Sequence, residues 1–152
     1  MSDATSFPPH AHPFRMIDTI LELDRERCTT IKALSGDEVV RDDPGASAGG
    51  YPFSLLLEAM AQAAVPLAGL DDEDHPHPSG RPQRPNGMIV GIDGARLLRP
   101  VRPGDRILIT AAIVGRHGDM IRVRSVAEVA ESAAGQAVVA EGEFTIALEE
   151  TT

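Results

Sequence analysis

Thirteen residues separate Pro52 from Pro66, and of these only Ser54, Glu58 and Gln62 are polar. A proline in the first turn of a helix loses no hydrogen bond, because the amide it lacks would have had no partner there. Pro52 therefore marks a helix start, and Pro66 is expected to end or bend the helix. The three polar residues recur at every fourth position and share one narrow stripe. The rest of the surface, with Leu55, Leu56, Leu57, Ala59, Met60, Ala61, Ala63 and Ala64, is apolar nearly all round. A helix of that kind has to be enclosed on most sides, so the remainder of the chain must supply a cover for it.

Strand patterns provide that cover. Aliphatic and β-branched residues at 15–23 and 28–34 flank the polar cluster 24–27, which predicts a hairpin. Residues 42–50 gather acids, proline, glycine and small residues, the composition of a loop leading into the helix. Residues 71–87, with their prolines, acids, His75 and His77, read as a long loop. Four more strands are expected from Met88 onward, divided by turn signals at 102–105, 116–119 and 133–135. Residues 107–114 are apolar on both faces, as in a central strand. In the last strand Val138, Ala140, Gly142, Phe144, Ile146 and Leu148 form an apolar face, with Glu141, Glu143, Thr145 and Glu149 on the wet one. About six strands and one buried helix make an α+β domain, an antiparallel sheet curled round the helix. A length of 152 residues suits one core. The expected organisation is an extended N-terminal arm over 1–13, rich in proline, serine and histidine, and a single domain over 14–152.

Charge and cysteine usage narrow the function. A net charge of −9 argues against nucleic acid, whose phosphates demand a basic surface. The one cysteine, Cys28, excludes an intrachain disulfide and reads as a small buried side chain, which fits a reducing cytoplasm. The first residues lack the basic stretch and apolar run of a secretion signal. No membrane span is expected, since the apolar stretch 55–70 contains Glu58 and Gln62 and falls short of about 20 apolar residues. The pairs His10-Ala11-His12-Pro13 and His75-Pro76-His77-Pro78 lack a cysteine cluster or a convergent third ligand. Neither a metal nor a cofactor is expected.

Three segments carry a family resemblance. They are Pro9-His10-Ala11-His12-Pro13-Phe14-Arg15-Met16-Ile17-Asp18, Leu57-Glu58-Ala59-Met60-Ala61-Gln62-Ala63-Ala64, and Gly91-Ile92-Asp93-Gly94-Ala95-Arg96 followed by Arg99-Pro100-Val101-Arg102-Pro103-Gly104-Asp105. In this order, over most of 9–148, the chain resembles the beta-hydroxyacyl carrier-protein dehydratases, with Ala11 in place of the usual arginine. The resemblance implies the hot-dog fold and a catalytic role for Glu58. It also implies an acyl-ACP or acyl-CoA substrate and a homodimer, or a larger assembly of dimers, with sites between subunits. Before the helix the family carries glycine-histidine-phenylalanine-proline-glycine, the histidine being its second catalytic residue. This chain reads Arg41-Asp42-Asp43-Pro44-Gly45, so matching Pro44-Gly45 puts Asp42 in the histidine's place and leaves extra residues within 46–51.

Dehydration of a 3-hydroxyacyl thioester needs a base for the proton beside the carbonyl, an acid for the departing hydroxyl, and donors to polarise the thioester oxygen. Glu58 suits the acid, because an apolar helix desolvates its carboxyl; it could instead be a structural group bonded to buried backbone. Gln62, one turn on, would orient that carboxyl or merely satisfy a buried group. Backbone amides around Gly50, Tyr51, Pro52 and Phe53 could polarise the carbonyl, or the glycines could only shape a turn. For the base, Asp42 or Asp43 would need burial, since an exposed aspartate titrates near about 3.9. His10 and His12 could reach in from the arm, whereas His75, His77 and His117 fall in loops or turns. Arg81, Arg84, Arg96, Arg99, Arg102 and Arg106 could meet a phosphopantetheine phosphate or an acidic carrier protein, or simply be solvated strand-end charge. Three functions compete: a dehydratase-like lyase, a hot-dog acyl thioesterase, and a non-catalytic acyl-binding or partner subunit.

Overall fold

The computed structural model describes residues 14–38, 50–68, 87–131 and 135–148. Strands β1 (Thr19–Leu23) and β2 (Arg27–Ala33) form the expected hairpin. Asp24 ties its turn, where Oδ1 accepts from the amides of Glu26 and Arg27 at 2.8 Å each. These two donors hold the Asp24 carboxyl below the usual carboxylate range. Helix α1 (Phe53–Ala68) follows, and then β3 (Gly87–Leu97), β4 (Arg106–His117), β5 (Met120–Glu131) and β6 (Gly135–Leu148). The arm 1–13 and the loop residues 71–86 lie outside the described residues, while Gly87 already belongs to β3.

Pro66 does not stop α1, which continues through it to Ala68. Proline removes the bond that its own amide would make to the Gln62 carbonyl, four residues back. Burial of Pro66 and Leu67 offsets the loss.

The six strands form one sheet in the order β1-β2-β4-β5-β6-β3, antiparallel at every step. One face of the sheet receives α1: Leu56, Met60 and Leu67 meet Ile107, Ile109, Val123 and Phe144, all fully buried. β4 lies between β2 and β5 as the central strand that its sequence suggests. The Ser125 hydroxyl donates to the Met60 carbonyl at 3.2 Å, a buried polar anchor between sheet and helix. This is the hot-dog arrangement. Among the described residues no helix is long and apolar enough to cross a membrane.

β6 departs from simple alternation. Its pairing with β5 steps from Ala127↔Ala140 to Glu128↔Val138, which leaves Val139 as an extra residue. Such a bulge turns the strand and moves the side chains beyond it to the opposite face. Val139 is fully buried and Val138 is 38% exposed, the reverse of the expected assignment. From Ala140 onward the expected faces hold. Outside, Arg96 and Arg124 flank Glu141 and Arg122 pairs with Glu143; the bond from Arg96 holds the Glu141 carboxyl below its ordinary range.

The bulge makes two neighbouring valines unequal. Val139→Ala is expected to lower the unfolding free energy by about 2 kcal/mol, from the buried methyl groups and the cavity left behind. Val138→Ala is expected to stay within about 0.5 kcal/mol. Chemical denaturation of both variants measures the difference.

Candidate active site

The polar stripe of α1 reaches a cavity where the helix faces the edge strand. Glu58, Ala61, Gln62 and Val65 of α1 stand opposite Met88 and Ile89 of β3 around a cavity of about 240 Å³. Glu58 is half-buried on this wall and is the one titratable group among its described lining residues. The wall is otherwise apolar apart from Gln62, so it suits an aliphatic chain ending at a carboxyl group.

Gln62 is 1% exposed, and burying a primary amide is costly unless its atoms are paired. All of its polar atoms are paired. The Met16 amide donates to Gln62 Oε1 at 2.8 Å, and Gln62 Nε2 donates to the Phe14 carbonyl and to Glu58 Oε1, each at 2.8 Å. A backbone amide can only donate and a backbone carbonyl can only accept, so these partners decide which end of the side-chain amide is which. Gln62 thus both satisfies buried backbone and holds the Glu58 carboxyl.

No protein-family model matches the chain. The 3-hydroxyacyl-(acyl-carrier-protein) dehydratase FabZ of Petrotoga mobilis is 30% identical over 134 residues, which cover 88% of this chain and 90% of the relative. FabZ of Anaeromyxobacter sp. is 35% identical over 140 residues, covering 90% and 81%. The chain belongs to the FabZ family. In fold it is similar to a protein of the dehydratase heterocomplex ApeI:P from Xenorhabdus doucetiae, with a TM-score of 0.76 and 14% identity, covering 99% of this chain and 93% of that one. It is also similar to a hexameric broad specificity acyl-coenzyme A thioesterase, with a TM-score of 0.60 and 14% identity, covering 88% and 81%.

Among the residues singled out in the sequence, the structure brings together Glu58 and Gln62. Gly50, Tyr51, Pro52, Phe53 and Arg99 are not part of the cavity wall. The Tyr51 amide is already engaged by the Val101 carbonyl at 2.8 Å and Pro52 has no N–H, which removes both as backbone donors. Arg99 is exposed beyond β3, where its amide donates to the Val139 carbonyl at 3.3 Å. Asp42, Asp43, His10, His12, His75 and His77 lie outside the described residues, and His117 is exposed at the end of β4.

One group near the helix start escaped the sequence reading. Lys32 is 2% exposed, with its Nζ 5.6 Å from the centre of the Tyr51 ring. The signal was present in β2, where Lys32 shares inward parity with the buried Cys28 and Thr30. Cys28 is fully buried, and burial pushes its thiol up to about 12. A thiol so protonated is a poor nucleophile. The native protein is expected to resist a water-soluble thiol reagent at pH 8, with its single cysteine reacting only after unfolding in guanidinium; a colorimetric thiol titration reads both states.

Proposed function

We propose that this FabZ-family chain is a dehydratase of 3-hydroxyacyl thioesters, carried on acyl carrier protein or coenzyme A, in fatty-acid or polyketide-type metabolism. One observation carries the reading: a carboxyl held by a buried amide stands on the wall of an apolar cavity, in a chain whose relatives are named for that reaction. The acyl tail lies along Ala61, Val65, Met88 and Ile89. A base takes the proton from the carbon beside the thioester carbonyl, and the electron pair forms the new double bond. The C–O bond of the 3-hydroxyl breaks as Glu58 gives that oxygen a proton, and water leaves. Asp42 is the candidate base, by its place before the helix, and Arg99 the candidate contact for a carrier phosphate.

We further assign the working unit as a homodimer joined along β3. Among the described residues this strand borders the sheet, pairing only with β6, and exposes Met88, Val90 and Ile92, which are 59%, 54% and 45% exposed. A row of unpaired backbone groups flanked by apolar side chains is a template for another strand. Residues of the same strand line the Glu58 cavity, so pairing there closes the site with a second chain. Replacing Val90 and Ile92 together with lysine is expected to give a folded monomer, as read by light scattering behind a sizing column.

A second reading, a partner subunit, is supported by a structural neighbour that is itself part of a dehydratase heterocomplex. Incubation with 3-hydroxyacyl and saturated acyl thioesters, following enoyl product and free thiol, separates the readings. Enoyl formation is expected, falling about 10²–10⁴-fold in Glu58→Gln with the unfolding temperature retained. Free thiol in its place would mean a hydrolase. Silence on both with acyl binding preserved would mean a partner subunit.

A further inference from the structure

The residues ahead of β1 touch the acid through Gln62, and this contact has a chemical direction. The Met16 amide and the Phe14 carbonyl are a fixed donor and a fixed acceptor, two residues apart on the segment ahead of β1. Gln62 meets both at once only with its oxygen toward Met16 and its nitrogen toward Phe14. Its second amide hydrogen then points at Glu58 Oε1. Turning the amide over would set donor against donor and acceptor against acceptor, leaving the buried Gln62 amide without its partners. The stretch is itself pinned. Ile17 is fully buried, the Asp18 amide donates to the Ile31 carbonyl at 3.0 Å, and Asp18 Oδ2 accepts from the Ala33 amide at 2.7 Å. Toward the helix start, the Tyr51 hydroxyl lies 3.6 Å from Met16 Sδ.

We propose that residues 14–16 act as a strap which fixes the Gln62 amide with its nitrogen toward Glu58, and so positions that carboxyl for the substrate. Without the strap the amide of Gln62 is at liberty to turn and present its oxygen to Glu58. The carboxyl would then give its hydrogen to Gln62 in an internal bond, and the acid would be withheld from the departing hydroxyl. Met16 and Phe14 are in this sense positioning residues, acting by backbone groups and never touching the substrate. The proposal rests on the reading of Glu58 as the acid, but the state of the Gln62 amide can be measured without any turnover.

Met16→Pro deletes the amide that faces Gln62 Oε1 and is compatible with an extended backbone, whereas Met16→Leu keeps the amide and loses only the sulfur. With a 3-hydroxyacyl thioester, Met16→Leu is expected within about twofold of the wild type, and Met16→Pro is expected to lose about tenfold or more in kcat with KM changed by no more than about twofold. In wild-type protein labelled with 15N at glutamine side chains, the two Gln62 amide protons are expected to exchange slowly with solvent, and in Met16→Pro to exchange fast. Wild-type kcat in a folded Met16→Pro variant would overturn the strap, as would equal losses in both variants. Gln62 protons exchanging at the solvent rate in the wild type would overturn it even if Met16→Pro did not fold. Slow exchange in a protein that forms no enoyl product would uphold the amide lock and reject the dehydratase reading alone.

Discussion

An α-helix with apolar side chains on nearly every side cannot rest in water, and the architecture answers that fact about α1. Leu56, Met60 and Leu67 are fully buried against β4, β5 and β6. Strands that wrap a helix need an apolar inner face and a tolerant outer one, which is the alternation in Ile107, Ile109 and Ala111 and again in Phe144 and Ile146. The ion pairs of Arg96, Arg122 and Arg124 with Glu141 and Glu143 sit on the outer face, where they cost little to hydrate and contribute little to stability.

The same enclosure makes the polar stripe informative. Ser54 lies toward solvent, whereas Glu58 and Gln62 lie where the sheet cover gives way to a cavity beside β3. A carboxyl and an amide at such a place must be paired or hydrated. The amide resolves this with backbone brought from 46 and 48 residues away, so that one side chain joins the entry of the fold to the chemistry of its helix. The Glu58 carboxyl is held by an amide that also satisfies backbone, so the two placements left open by sequence for Gln62 are one arrangement.

Much of this was legible beforehand. The helix showed in its apolar run, the six strands in their turn signals, and the family in the segment around Glu58 and Gln62. What escaped did so for physical reasons. A bulge adds one residue without changing composition, so the alternation counted back from Phe144 assigned Val138 and Val139 to the wrong faces. Residue type argued Lys32 outward while its parity with Cys28 argued inward, and parity prevailed because Tyr51 offers the ammonium an aromatic face. Tyr51 was a candidate amide donor until the fold placed the Val101 carbonyl against it, a contact across 50 positions that no local pattern encodes. Pro66 was read as an end or a bend, yet α1 runs through it to Ala68, with Pro66 and Leu67 both buried.

The border strand has a further consequence for the life of the protein. Among the described residues the outer edge of β3 is open along its eleven residues, so a freshly synthesised chain that associates there passes through an interval with that edge unpaired. During that interval it is as able to join an incorrect strand as a correct one, so crowding and slow assembly are hazards. The charge of −9 counters this by mutual repulsion among copies, slowing every encounter, correct ones included. If copies do pair through this edge, thermal resistance should climb with protein concentration and with added salt, since association stabilises the folded chain by mass action.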